Sequence, residues 1–191
     1  WLGHWGEAMD CYRQAHEAYV QTGDVVNAAI QQANLAELLI NRGDLEAARE
    51  AVTQAARTHR AVGFVDGALF DEIQLARLLL REGDPGAAAA VLHQVVAEAT
   101  DLGLIGTALE ARVHLADCLL EQGDPDGALD ALAVAEAAAG SDATLFEASI
   151  AAVRSRARRL VGDVDGAARA LAEGIAAARR LHLHYELGQL L

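Results

Sequence analysis

Proline is almost missing from this chain, with two residues in 191. Long helical stretches are therefore free of the one residue that removes a backbone donor and clashes with the preceding turn. Aromatic side chains are scarce too, at 4%, although 53% of the residues are hydrophobic. That excludes a core built around large rings and leaves small and aliphatic side chains packed between helices. Cysteine is reduced to Cys11 and Cys118. Two distant thiols exclude a disulfide framework, and a reducing cytoplasm is the expected setting. Positive charge is in deficit: 15 Lys and Arg stand against 28 Asp and Glu, a formal net charge of −13. Such a surface repels phosphate backbones, so no direct nucleic-acid partner is expected. No apolar run reaches the roughly 18 residues that cross a membrane.

What is abundant is Ala, Leu, Glu, Arg and Gln, the residues of highest helix propensity. They are arranged in a repeat. Gly-Asp pairs stand at Gly43-Asp44, Gly83-Asp84, Gly123-Asp124 and Gly162-Asp163, in steps of 40, 40 and 39. Gly3 lies 40 residues before Gly43, with His4 in place of Asp. Five residues after these glycines stand Ala8, Ala48, Ala88, Ala128 and Ala167. Four further come the larger Tyr12, Val52, Leu92, Leu132 and Leu171. Three further come Ala15, Ala55, Val95, Ala135 and Gly174. Upstream, Leu35-Ala36, Leu75-Ala76 and Leu115-Ala116 precede Leu39, Leu79 and Leu119, each four residues before its glycine. Spacings of three and four keep these positions on one helix face.

Each unit therefore reads as helix, Gly-Asp turn, helix. The glycine fits the left-handed position that closes a helix, and the aspartate caps the next one. After Asp84 and Asp124, Pro85 and Pro125 take the first helical position, where no donor is missed. Gly23, Gly63 and Gly103 mark the turn between one pair and the next, and Gly140 with Ser141-Asp142 does so three residues early. The expected fold is all-α, an α-α superhelix of antiparallel helix pairs with about nine to ten helices. Helices are predicted over about 4–21, 25–41, 45–61, 65–82, 86–101, 105–122, 126–139, 143–161 and 165–181, with a tenth from near 183. They form a single repeat domain over 1–191: a half unit at 1–23, units at about 24–63, 64–103, 104–140 and 141–181, and the start of another at 182–191.

The line Leu-Ala-x-x-Leu-x-x-x-Gly-Asp-x-x-x-x-Ala-x-x-x-Leu-x-x-Ala resembles the tetratricopeptide repeat. It is clearest at Leu115-Ala116, Leu119, Gly123, Ala128, Leu132 and Ala135. The period departs from the usual repeat, near 40 here against about 34 there. Gln32, Glu72 or Arg112 stands where the family's Trp is expected, and Gly63 or Gly103 where its closing proline is expected. Long-period repeats of this kind are similar to those in the C-terminal halves of large bacterial regulators. Among these are signal-transduction ATPases of the maltose-activator type, antibiotic-pathway regulators of actinomycetes, and multidomain adenylate cyclases. The segment from Ala177 to Glu186 is similar to that group in character. The resemblance implies a protein-protein interaction scaffold within a larger cytoplasmic signalling or transcriptional regulator.

Both ends cut through a unit. Solenoid ends normally carry a polar cap, whereas Trp1, Trp5, Leu187, Leu190 and Leu191 stand at these ones. The expectation is a window on a longer array, excised or processed at Trp1; frayed termini are the alternative. Self-association through the uncapped ends follows as an expected second mode.

Residues that would carry chemistry are sparse. His182-x-His184 points its two rings to different helix faces, and His4, His16, His59, His93 and His114 have no i, i+4 partner histidine. No metal site or cofactor is expected. The Asp-x-Asp-Gly segments at Asp124 and Asp163 miss a calcium loop's register, since Leu129 and Ala135 fall at its sixth and twelfth positions counted from Asp124. No phosphate-binding loop and no nucleophile elbow occurs. His114 and Cys118 share a helix face, but position 118 repeats Leu38 and Leu78 and reads as packing. The chain is not expected to be an enzyme.

Candidate binding residues lie on the first helix of each pair, which in helix-pair solenoids lines the concave recognition face. Glu37, Arg77 and Asp117 are spaced by 40 and alternate in sign. They form either a stripe that reads a partner's charges or salt bridges between repeats, worth about 0–1 kcal/mol per exposed pair. Phe70 and Ile73 stand in flanking apolar columns suited to a partner helix or extended peptide. Arg154, Arg156, Arg158 and Arg159 form a basic cluster in an acidic chain. Arg156 and Arg159 are candidates for an acidic partner or for another domain of the parent protein, with a solvated face as the alternative. The leading expectation is a protein or peptide partner on the concave face; a ligand- or peptide-sensing module and a homo-oligomerisation element are the competing ones.

Overall fold

The computed structural model describes residues 5–139, 144–183, 187, 188 and 190. Among them are nine helices and no strand: α1 Trp5–Thr22, α2 Val25–Arg42, α3 Leu45–Val62, α4 Val65–Arg81, α5 Pro85–Asp101, α6 Ile105–Glu121, α7 Pro125–Ala139, α8 Glu147–Leu160 and α9 Val164–Arg180. The predicted helices at 4–21 through 126–139 are all present, with ends within two residues. The helix expected from 143 starts later: Thr144–Phe146 form a single tight turn before α8. The predicted turn at Gly140-Ser141-Asp142 lies outside the described residues, as do His4 and His184. Leu187, Gly188 and Leu190 are helical, and the Leu187 N–H donates to the Leu183 carbonyl at 3.0 Å.

The turns follow from the glycines. Gly63 holds φ +73, a left-handed backbone conformation that a Cβ makes costly. There its N–H donates to the Arg60 carbonyl and the next N–H, of Phe64, reaches back to His59 at 2.9 Å, which closes α3. His182 stands where a glycine would be expected after α9 and takes φ +56. Aspartate caps four of the five helices that it precedes. Asp24, Asp84, Asp124 and Asp163 accept the N–H three residues on, at 2.8–3.1 Å. Asp44 does not. The Arg42 guanidinium captures its carboxylate, so the cap expected at α3 is absent.

Contacts divide the chain into two compact units, Leu2–Val91 and Leu92–Leu191, with the boundary inside α5 and not in a linker. In the first, α1 packs on α2, α2 on α3, α3 on α4, and α2 on α4. In the second, α6 packs on α7, α7 on α8, α8 on α9, and α6 on α8. The repeat columns form both interiors. Ala48, Ala55, Ala88, Ala128, Ala135 and Val95 are completely buried, and Val52, Leu92 and Leu132 nearly so. Met9, Ala36, Ile40, Val52 and Leu78 join one core in the first unit; Leu109, Val113, Leu132, Ile150 and Ala157 join another in the second. Each large side chain so buried contributes about 1.5–3 kcal/mol. The alanines let neighbouring helices approach closely.

The turn glycines are open to solvent, and no atom would meet a Cβ at Gly63. Gly63→Ala should therefore cost only the left-handed backbone strain, about 1 kcal/mol. Urea unfolding measures it; an unchanged midpoint would mean that the turn is not the constraint described here.

Candidate functional site

All 15 basic residues are arginine and none is lysine. The arginine fork can hold two acceptors at once, and the structure uses it that way between first helices. In the first unit Arg77 on α4 reaches back to α2. Its Nη1 donates to Glu37 Oε1 at 3.1 Å and to Gln74 Oε1 at 2.7 Å, and its Nη2 to Asn41 Oδ1 at 2.6 Å. In the second unit Arg156 on α8 reaches back to α6, donating to Asp117 Oδ1 and Glu121 Oε1 at 2.7 Å each. The two devices are the same: one guanidinium grips residues i and i+4 of the preceding first helix. Their settings differ, because the Arg77 side chain is 12% exposed and that of Arg156 46%.

The candidate column is thus brought together in pairs, Glu37 with Arg77 and Asp117 with Arg156. Phe70 is half-buried on α4, one turn before Ile73. Ile73 is fully buried, so its side chain belongs to the interior of the first unit and offers no surface. Arg159 is exposed on α8 and makes no ion pair among the described residues.

Sequence reasoning missed one polar assembly. His59 at the end of α3 and Asp71 on α4 meet in the interior of the first unit, Nδ1 to Oδ2 at 2.7 Å, with both side chains at most 1% exposed. Gln74 is buried one turn on. The Phe64 ring stands edge-on to the imidazole at 5.3 Å. His59 Nε2, Asp71 Oδ1 and Gln74 Nε2 have no hydrogen-bond partner among the described residues. Burial pushes the Asp71 carboxyl up to about 6 and Glu72 adds to it, while His59 and Arg60 pull it down. The signal was available: polar residues twelve positions apart across a helix turn face each other. Arg60 and Glu72, and Thr100 and Arg112, do the same at the surface.

His59 and Asp71 are sealed from any substrate. Cys118 is buried, and burial, with Asp117 and Glu121, pushes its thiol up to about 12, far from a thiolate at neutral pH. Among the described residues no group of three or more His, Cys, Asp or Glu is placed to hold a metal ion, and no helix is long and apolar enough to cross a membrane.

Two family models, both described as tetratricopeptide repeat, match residues 74–152 and 30–54. The helix pairs, the glycine turns and these matches agree. The chain carries a tetratricopeptide-repeat-like domain. Repeats of this family generally mediate protein-protein interaction and are typically non-catalytic scaffolds. No curated protein matches the chain.

Two measurements check this account of the repeat-like domain. Arg77→Ala removes a largely buried guanidinium and strands the buried Gln74 Oε1, and should lower the unfolding free energy by about 1–3 kcal/mol, whereas Arg156→Ala, more exposed, should cost under about 1 kcal/mol. Equal losses would contradict the difference in burial. Asp71→Asn keeps an acceptor for His59 but cannot ionise. A raised carboxyl pKa stabilises the fold fully below the unfolded value near 4 and loses that contribution as pH rises through about 6. The variant should therefore gain on the wild type between pH 4 and 7, by up to about 3 kcal/mol. A pH-independent difference would show that Asp71 ionises freely in the fold.

Proposed function

We propose that this domain is a protein-binding scaffold that engages its partner along the first helices, α2, α4, α6 and α8. One observation carries the reading: the repeated grip of an arginine on two residues of the neighbouring first helix. It fixes an ordered row of charge on one side of each unit and leaves Glu37, Asp117, Glu121 and Arg156 part-exposed to a partner's charges. In helix-pair arrays this is the side that generally meets ligands. Phe70 adds a half-buried aromatic surface beside the row. Arg159, exposed and without an ion pair among the described residues, offers a cation to an acidic partner or to another domain of the same protein. The long period and the departures from the family's consensus support a place within a larger cytoplasmic signalling or transcriptional regulator, as in maltose-activator-type ATPases.

Charge swaps separate recognition from stability. Glu37→Lys with Arg77→Glu, and Asp117→Lys and Glu121→Lys with Arg156→Glu, keep the ion pairs of Arg77 with Glu37 and of Arg156 with Asp117 and Glu121 in exchanged sign while reversing the pattern a partner would meet. With helicity unchanged by circular dichroism, pull-down of partner by the doubly swapped domain should fall at least tenfold. Undiminished capture would rule out the first-helix row as the recognition surface.

A further inference from the structure

The last repeat breaks its own motif. The step from Gly123 to Gly162 is 39, which aligns Arg154 with Leu35, Leu75 and Leu115, and Arg158 with Leu39, Leu79 and Leu119. Elsewhere these leucines are buried or half-buried, and several pack on the cores. Here two arginines replace them. In the second unit they form the floor of a cleft of about 700 Å³. Its walls are α7, with Asp130 and Glu136, and α9, with Arg169 and Glu173. A volume of this size suits a ligand.

The charges in the cleft balance, three arginines against three carboxylates, in a chain of net charge −13. They are incompletely used. Arg154 is ion-paired with Glu136. Among the described residues Arg158 has one ion contact, a long one of 3.5 Å to Asp163, whose other oxygen already caps α9. Arg169, Asp130 and Glu173 make no ion pair among the described residues, and all three are exposed at the rim. A simple anion would meet the carboxylates of Asp130 and Glu173, and a simple cation the guanidinium groups of Arg158 and Arg169. A ligand carrying both charges meets neither penalty.

We infer that the cleft between α7, α8 and α9 binds an extended peptide segment of a partner protein with an acidic and a basic residue two positions apart. Side chains at i and i+2 of an extended chain point to the same side, about 7 Å apart. The carboxylate would sit between Arg158 and Arg169, whose planar forks suit it, and the cation against Asp130 or Glu173. From Leu129 to Glu136 the α7 wall runs roughly 10 Å, room for about three extended residues. The open rim lets the segment continue at both ends. This site rests on the reading of the domain as a scaffold for protein partners, and adds to it a cleft where the first helix α8 meets the second helices α7 and α9.

The test uses the whole chain, labelled with ¹⁵N, and follows the arginine Nε–H resonances. The probe is acetyl-Ala-Glu-Ala-Lys-Ala-amide, compared with the versions carrying two Glu or two Lys, and with inorganic phosphate. Saturable shifts at Arg158 and Arg169 are expected with the mixed peptide, at least fivefold tighter than with any of the other three. Arg158→Leu, which restores the residue of the other repeats, should weaken binding at least tenfold while the thermal midpoint holds or rises. Arg169→Ala, at an exposed position, should weaken it comparably and serves if the leucine variant fails to fold. Absence of saturable shifts, equal binding of phosphate or the two-Glu peptide, or undiminished binding by the Arg169 variant would each overturn the proposal. Because the resonances report the cleft directly, its failure with pull-down intact leaves the first-helix reading standing, and the reverse result rejects only that reading.

Discussion

Neighbouring helices in this domain meet over alanine, and the rest of the structure depends on that contact. Ala48, Ala88 and Ala128 are completely buried five residues after a turn glycine, with Val52, Leu92 and Leu132 beside them. A small side chain at the closest point lets two helices approach, and a larger one above it fills the space that remains. The turn must then deliver the second helix at a fixed angle and register, which the left-handed glycine does. The large side chains of the buried columns are thereby committed to local neighbours, and each pair is stabilised mainly by the pairs next to it.

Apolar packing of this kind is permissive about sliding, because alanine tolerates many neighbours. The arginines are not permissive. Arg77 must meet Glu37, Asn41 and Gln74 together, and Arg156 must meet Asp117 and Glu121. A one-residue slip would break every one of these bonds. The buried pair of His59 and Asp71 adds a similar constraint within the first unit, at the cost of His59 Nε2 and Asp71 Oδ1, which have no hydrogen-bond partner among the described residues. That is a destabilising feature, since each such atom carries an unrecovered desolvation penalty.

The last repeat shows how the same scaffold changes use without changing fold. Replacing two motif leucines by Arg154 and Arg158 removes apolar filling and leaves a charged cleft, while Ile150, Val153 and Ala157 on the other face of α8 still pack into the core. A helix has faces enough to keep one for stability and give another to recognition.

From the sequence alone the period, the helix limits, the glycine turns and the buried columns could be read, because each depends on spacing along one helix or across one short turn. Charge alternation at Glu37, Arg77 and Asp117 was visible as well, with salt bridges between repeats as one of its two readings; Glu37 and Arg77 do pair, but the cation that meets Asp117 was not legible. The 39-residue step moves the next cation to Arg156, and only the packing of α8 on α6 shows that Asp117 is gripped by it. His59 showed no i, i+4 partner histidine and Asp71 was not singled out, since the two lie on different helices. Ile73 looked available to a partner, and burial against neighbouring helices removed it. The physical reason is common to these cases. Helical periodicity assigns a residue to a face, whereas ion pairing, burial and clefts depend on which face of another helix arrives opposite, and that is set by tertiary packing.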